Sequence, residues 1–374
     1  MTGARGYADY EGRRVILDGF IPGDEVSCGS LIPDKGFLRL VNAQLSSASE
    51  LRISPACPYS GRCGGCDFDC VSEETSARLK NGIVAANISS ALKRDVSSLM
   101  KEPLYASARG YRARCRIHLS AKDRQIGFLA KNSSSLVAVK HCPLLTDGLN
   151  EILADGRKFF SRAQSQIFSA PVNRKTGFAE LSLFDAGDKV LAGSQEGVFS
   201  IAGYTFHLTG DVFFQSNIHL LPALFQIIRD EARGDSIMDL YSGVGTFSAV
   251  LEDRGCAVTA VERDKRCLAL AAKNAPSARF FTDDVALWAA RGRKSVDTVI
   301  VDPPRTGLKE AAKLIPQWKA GRIIYVSCNS ATLAYDLKSL CENYEIESIQ
   351  VIDFYPGSGH EETVVILNNR KGEK

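Results

Sequence analysis

Seven short apolar runs, most of them separated by helical stretches, dominate the chain from about Gly210 onward and restrict its fold more than any other feature. The strand candidates are Ile237–Leu240, Val258–Val261, Arg279–Phe281, Thr298–Val301, Ile323–Val326, Glu347–Ile352 and Val364–Leu367. The stretch 330–343 between the fifth and sixth sets Leu333, Leu337, Leu340 and Cys341 on one helix face. Apolar strands that alternate with helices are covered on both faces, which predicts an α/β fold with a parallel, doubly wound sheet. No helix separates the last two strands, so they are expected to form an antiparallel hairpin at the sheet edge.

The first of these strands runs into Asp239-Leu-Tyr-Ser-Gly243-Val-Gly245-Thr-Phe247. Glycines there allow a tight turn and a close approach of ligand to backbone at the carboxyl edge of the sheet. Nineteen residues after Gly243 the second strand ends in Glu262, placed to accept hydrogen bonds from a ribose diol. The third is followed by Asp283-Asp284, suited to an adenine amino group. A nucleoside cofactor is implied. The dinucleotide fingerprint lacks its third glycine, which favours S-adenosylmethionine over NAD.

Three further motifs fall at the same edge. Asp302-Pro-Pro-Arg305 ends the fourth strand in a stiff loop. Cys328 stands between the fifth strand and a helix, where the helix dipole is expected to lower its pKa toward thiolate. Phe354-Tyr-Pro-Gly-Ser-Gly-His360-Glu361-Glu362-Thr363 brings a carboxylate on a Gly-rich loop within reach of the cleft as a base, with a solvated Glu-Glu pair as the plainer alternative.

The amino-terminal half reads differently. Residues 1–50 alternate as short strands (Arg14–Leu17, Glu25–Cys28, Phe37–Val41) broken by Gly12, Gly19, Pro22-Gly23 and Pro33, as in a small barrel. A cysteine segment follows, Cys57-x5-Cys63-x2-Cys66-x3-Cys70. Eleven cysteines cannot all pair, and in a reducing compartment such a cluster points to zinc or an iron–sulfur centre. Spacing alone nominates Cys70 as the fourth ligand, with Cys142 in His141-Cys142-Pro143 as the distant rival. Residues 73–94 read as a helix with Leu79, Ile83, Ala86 and Ile88 on its apolar face, and 105–205 return to strand and turn. Between Lys101 and Lys131 eight basic residues face two acidic ones, beside Tyr105 and Tyr111, a stripe suited to a polyanion or a solvated strand face.

At 374 residues, 45% hydrophobic and 24% charged, the chain is long enough for two or three domains with cores of their own. No apolar run reaches the ~18 residues of a membrane span, and Met1–Arg14 lacks a signal-peptide core, so a soluble cytoplasmic protein is expected.

Taken in order, these motifs resemble the RNA uridine carbon-5 methyltransferases, which make 5-methyluridine in tRNA or 23S rRNA, and the resemblance covers nearly the whole chain. It implies a Rossmann-like seven-stranded methyltransferase domain, a β-rich central domain and a small OB-like TRAM barrel. The expected divisions are 1–52 (TRAM-like, carrying Gly12–Val26), 53–72 (the cysteine segment), 73–205 (linker helix and RNA-binding central domain, opened by Gly110–Arg114) and 206–374 (methyltransferase). The same resemblance makes Cys57, Cys63, Cys66 and Cys142 the ligands of a [4Fe–4S] cluster and Cys70 a bystander. Phe213-Phe-Gln215-Ser-Asn217 is similar to the family's Phe-x-Gln-x-Asn motif, whose glutamine contacts the cofactor. Tyr241, Gly243, Gly245, Thr246, Glu262, Asp284 and Asp302 complete the expected S-adenosylmethionine site, with Thr246 and Asp284 standing where relatives often carry asparagine. Cys328 becomes the nucleophile and Glu362 the base, with Glu361 at the variable position and expected to point away from the cleft. The implied partner is RNA, its target uridine flipped from a loop, and the implied state a monomer. Rival readings are a cytosine carbon-5 methyltransferase, which would place a cysteine where this chain has Arg305, an amino-group methyltransferase, which would place an aromatic there, and a non-catalytic iron–sulfur RNA-binding protein.

Overall fold

The computed structural model describes residues 5–27, 29–34, 37–120, 124–155, 170–292 and 294–370. Cys28, Lys122 and Asp123 lie outside them. At the amino end, β1 (Arg5–Tyr10), β2 (Arg13–Asp18), β4 (Ser30–Asp34) and β5 (Phe37–Val41) form a sheet ordered β1-β2-β5-β4, while β3 (Glu25–Ser27) pairs with β6 (Gln44–Ser47). Arg52 closes this unit through a 2.6 Å ion pair with Asp24.

Helix α1 (Glu73–Leu92) begins where Ser72 accepts a hydrogen bond from the Thr75 amide, with Glu73 and Glu74 in the favourable first turn. Its buried stripe is Ser76, Ala77, Lys80, Val84 and Ile88. The expected face shares only Ile88 with it. The helix is rotated because it packs its small and branched residues on the carboxyl-terminal sheet and its helices, and because Lys80 finds an anion there. Residues 100–104 then run alongside the sheet edge, bridging Met100 to Ile349 and Leu104 to Ile352.

The central region is a five-stranded antiparallel sheet ordered β11-β10-β7-β8-β9, made of β7 (Arg114–Ser120), β8 (Gln125–Leu129), β9 (Leu136–Ala138), β10 (Ala179–Asp185) and β11 (Val190–Ala192). Helix α2 (Asp147–Ala154) covers it through Leu149 and Leu153. The hairpin β12 (Glu196–Ile201) and β13 (Tyr204–Thr209) spans the expected boundary at 205/206. Its Phe199, Phe206 and Leu208 share one core with Phe184 and Leu191 of the central sheet and with Phe225 and Ile228 of the carboxyl-terminal half, so the hairpin joins the two.

That half alternates α3 (Leu221–Glu231), β14 (Ser236–Leu240), α4 (Thr246–Asp253), β15 (Ala257–Glu262), α5 (Lys265–Asn274), β16 (Arg279–Thr282), α6 (Val285–Ala290), β17 (Thr298–Val301), α7 (Ala311–Leu314), β18 (Arg322–Ser327), α8 (Ser330–Leu340), β19 (Tyr344–Ile352) and β20 (Glu362–Asn369). The seven strands order as β16-β15-β14-β17-β18-β20-β19, parallel except for β20. The expected hairpin exists, but only β19 is at the edge: β20 inserts between β18 and β19. Val364–Leu367 are buried throughout, and an edge position would leave that apolar run half exposed. The order reverses between β14 and β17, which opens a crevice at their carboxyl ends.

Candidate active site

The turn after β14 is shaped by three residues with positive φ. Tyr241 (φ +62°) is held in the left-handed region that disfavours side chains, a strain that clusters at functional sites. Gly243 (φ +54°) has open space where a side chain would start, so a ligand can approach its backbone. Gly245 (φ +77°) instead faces Ala271, where a β-carbon would come within 3.1 Å of the alanine side chain, and caps α4.

A cavity of about 560 Å³ lies over this turn and is lined by Gln215, Tyr241, Gly243, Thr246, Glu262, Asp284, Asp302, Arg305, Cys328 and Glu362. Of the ten residues expected at catalysis and cofactor, only Gly245 lies behind the wall. The Glu262 carboxylate accepts hydrogen bonds from the amides of Gly243 (3.2 Å), Arg263 and Asp264 (2.8 Å each), which fix it at the cavity rim. Asp284 spends one oxygen capping α6 through the amides of Ala286 and Leu287, and Asp283 pairs with Arg291 at 2.5 Å. Gln215 is buried, and among the described residues its Oε1 has no partner. An orphaned acceptor aimed into a cavity beside an open glycine fits a nucleoside cofactor with donors of its own.

Cys328 and Glu362 meet across two neighbouring strands. Ser327 of β18 pairs with Thr363 of β20, so the next step of the ladder brings the thiol opposite the carboxylate. Glu362 is fully buried, and among the described residues neither carboxylate oxygen has a hydrogen-bond partner. Burial, with Asp302 and Glu361 as negative neighbours, pushes its proton affinity well above the ordinary value, and Arg305 only partly offsets this. Asp302 is raised likewise, by burial and by Asp239. Cys328 departs from the sequence expectation. Burial and the carboxylates of Glu362 and Asp302 push its thiol up to about 12, outweighing Arg305.

Glu361 stands outside the cavity lining, as expected, yet it is not in solvent. It is 3% exposed, points inward, and accepts a 3.0 Å hydrogen bond from the amide of Ser330 at the start of α8. The solvated pair is thereby replaced by two buried carboxylates. The sequence reading also passed over Lys80, whose Nζ donates to Asp353 at 2.6 Å and to the Tyr355 carbonyl at 3.0 Å, while Ser76 donates to the other Asp353 oxygen at 2.8 Å. This buried set ties α1 to the loop that leads to Glu362. A lysine on the apolar stripe of α1, in step with Ala77, Val84 and Ile88, was the available signal. Arg305 reaches His360 at 3.1 Å, and burial followed by Arg305 lowers that imidazole to about 4, so it stands neutral as an acceptor.

A second cavity, of about 460 Å³, is lined by Cys57, Cys63, Cys66 and Cys142 together with Arg112, Leu144 and Leu145. Cys142 thus reaches the cysteine segment from the central region. Cys70 packs elsewhere, with Ile21, Phe68 and Val71. Burial, then Asp69 and the other three thiols, pushes Cys66 up to about 12. Among the described residues no three His, Cys, Asp or Glu side chains form a group able to hold a metal ion. The basic stripe is partly internal: burial lowers Arg114, Arg112 turns into the cysteine cavity, and Arg116 stays exposed. The segment also touches the active-site side of the molecule, since the amides of Asp67 and Phe68 both donate to the Gly357 carbonyl, at 2.7 and 2.9 Å. No described helix is long and apolar enough to cross a membrane.

Residues 290–370 match a family model described as tRNA (Uracil-5-)-methyltransferase. Over nearly its full length the chain is similar to a protein of Pseudomonas savastanoi pv. phaseolicola named 23S rRNA (uracil(1939)-C(5))-methyltransferase RlmD, with 29% identity over 98% of this chain and 92% of that one. An uncharacterized RNA methyltransferase of Thermotoga maritima is 28% identical over 95% of this chain and 94% of its own. Among solved structures, the tRNA (uracil-54, C5)-methyltransferase of Pyrococcus abyssi in complex with S-adenosyl-L-homocysteine superposes with a TM-score of 0.75, at 22% identity, over 97% of this chain and all of that one, which shows the shared fold.

Proposed function

We infer that the chain belongs to the RNA uracil-5-methyltransferases and uses S-adenosylmethionine to methylate carbon 5 of a uridine in 23S rRNA or tRNA. The observation that carries the chemistry is the unpartnered, buried Glu362 carboxylate beside the Cys328 thiol in the cavity of the Gly243 turn. Gln215, Tyr241, Gly243, Thr246, Glu262, Asp284 and Asp302 would hold the cofactor, with Gly245 shaping the turn behind them. When bound, the cofactor supplies an electrophilic methyl group and a sulfonium charge that favours the ionised forms of Cys328, Asp302 and Glu362.

Carbon 5 of uracil is a poor nucleophile until a thiolate adds to carbon 6. The Cys328 sulfur forms a bond to carbon 6, and the electron pair of the ring double bond moves toward the carbonyl as an enolate. Carbon 5 would then take up the methyl group, whose bond to the cofactor's sulfur breaks and leaves its electron pair there. Glu362 removes the carbon-5 proton, that C–H pair restores the double bond, and the carbon 6–sulfur bond breaks to return the thiolate. A carboxylate with raised proton affinity is the stronger base for this elimination. The uridine must leave its stack to reach the cavity, which a single-stranded loop permits at low cost, and one chain suffices as a monomer.

The four-cysteine cavity supports one [4Fe–4S] cluster on Cys57, Cys63, Cys66 and Cys142. These four cysteines, one of them from the central region, line one cavity together with Arg112.

The test is to offer purified protein unmodified tRNA and 23S rRNA transcripts separately with labelled S-adenosylmethionine and to map the product. Label at carbon 5 of one uridine is expected. A Cys328→Ala variant that still forms a covalent complex with 5-fluorouridine RNA would refute the mechanism.

A further inference from the structure

Glu361 has a structural setting that a spacer residue does not need. Its Oε1 accepts from the buried amide of Ser330, two residues beyond Cys328 and the first residue of α8. Ser330 is held from the other side as well, since its Oγ accepts from Asn87 Nδ2 of α1 at 2.9 Å. Glu361 therefore bridges the turn that carries the nucleophile to the strand that begins with the base. A neutral acceptor would satisfy the Ser330 amide equally. This chain instead buries a second carboxylate directly beside Glu362, with Lys80 as the nearby cation.

We propose that Glu361 is a positioning residue for uracil methylation, fixing the Cys328 turn against β20 and holding a negative charge beside Glu362. This rests on the assignment of Cys328 and Glu362 above. The groups that face Glu362 are Asp302 from β17, Arg305 from the loop after it, Cys328 after β18, and Tyr355 and Glu361 from its own loop. Of these, Asp302 opposes its ionisation and Arg305 favours it, and Glu361 adds a like charge that opposes it, so the charge makes Glu362 hold its proton more tightly. The geometry and the charge have separable consequences: the Ser330 bond governs addition of the thiol, and the charge governs removal of the carbon-5 proton.

The test uses full-length protein and two substitutions. Glu361→Gln keeps an acceptor for the Ser330 amide and removes the charge; Glu361→Leu removes both. Adduct formation is followed with 5-fluorouridine RNA, and resolution of the methylated adduct is followed with unmodified RNA across pH. Glu361→Gln should form the adduct at the wild-type rate, while the rising pH limb of resolution moves down by roughly one unit. Glu361→Leu should form the adduct roughly tenfold more slowly, because a buried amide loses its partner, and the comparison with glutamine is the rescue. An unmoved pH limb in Glu361→Gln overturns the proposal, and so does wild-type adduct formation in Glu361→Leu. Should Glu361→Leu fail to fold, the pH limb of Glu361→Gln still decides. Cys328→Ala separates the two levels. If it abolishes the adduct and the Glu361→Gln limb is unmoved, only the role of Glu361 falls; if it leaves the adduct intact, the underlying chemistry falls and this role with it.

Discussion

Replacing Glu362 with glutamine should abolish turnover and at the same time stabilise the folded protein at neutral pH. The carboxyl group is fully buried with both oxygens unpartnered, and its folded pKa lies well above the ordinary value of 4.5 because of burial, Asp302 and Glu361. Below pH 4.5 the group is protonated in both the folded and unfolded chain and has no effect on the difference between them. As pH rises past 4.5 the unfolded chain ionises while the folded one keeps its proton, so wild-type stability falls by about 1.4 kcal/mol per pH unit until the folded pKa is passed. Between pH 4.5 and 7 the ceiling is therefore about 3 kcal/mol. Glutamine carries the same buried shape with no charge and loses nothing across that window. With an unfolding entropy of about 2.1 cal/mol/K per residue, the gain corresponds to about 4 °C in Tm at pH 7 and to nothing near pH 4.5. The chain's two tryptophans, Trp288 and Trp318, both lie in the core beneath the sheet that carries Glu362, so their fluorescence follows the relevant unit during unfolding. The assay is thermal unfolding of both proteins at half-unit steps of pH. A difference that stays flat with pH, or a variant that weakens as pH rises, would refute the reasoning.

Glu262→Ala should reduce S-adenosylmethionine affinity about ten- to a hundredfold, the equivalent of roughly 1.5–3 kcal/mol for a charge-assisted hydrogen bond, and unchanged binding by calorimetry would remove Glu262 from the site. Anaerobically purified protein should be brown, with iron and acid-labile sulfide in equal amounts; Cys142→Ser should lose both and Cys70→Ser keep both, and zinc without sulfide would sink the cluster. Lys80→Met should destabilise the chain by roughly 3–5 kcal/mol in urea titrations, because Asp353 is left as a buried charge, and adding Asp353→Asn should restore most of the loss. A single variant as stable as wild type would mean that the pair is not held as described.

Much of the carboxyl-terminal half was readable because its strands are apolar on both faces and end at motifs with fixed spacing. Thr298–Val301 was located to the residue and the others within a few, and the cavity gathers Gln215, Glu262, Asp302, Cys328 and Glu362 from five separate segments. What failed to show in the sequence depended on tertiary partners. The phase of α1 was misread because Lys80 counts as polar until Asp353 is seen to neutralise it. The alternative of a solvated Glu-Glu pair fails because the Ser330 amide, on another element, draws the Glu361 carboxylate into the interior. The Cys328 thiol was expected to ionise from its position at a helix terminus, whereas burial, followed by the carboxylates of Glu362 and Asp302, raises it. Strand order is likewise invisible locally, since nothing in Val364–Leu367 says that β20 will slip inside β19.

The pairing of Ser327 with Thr363 has an evolutionary reading. The proposed nucleophile and base each adjoin this rung, so their spacing is set by the backbone hydrogen bonds of one ladder rather than by the lengths of the loops that lead to them. Gain or loss of residues in the Tyr355–His360 loop would leave that separation to the ladder. A one-residue insertion inside β18 or β20 is different, because it would turn every subsequent side chain to the opposite face and separate the pair outright. Lineages descending from such a chain should therefore collect length changes in the loop and none in the two strands, and a deep insertion library of this protein would display the same boundary.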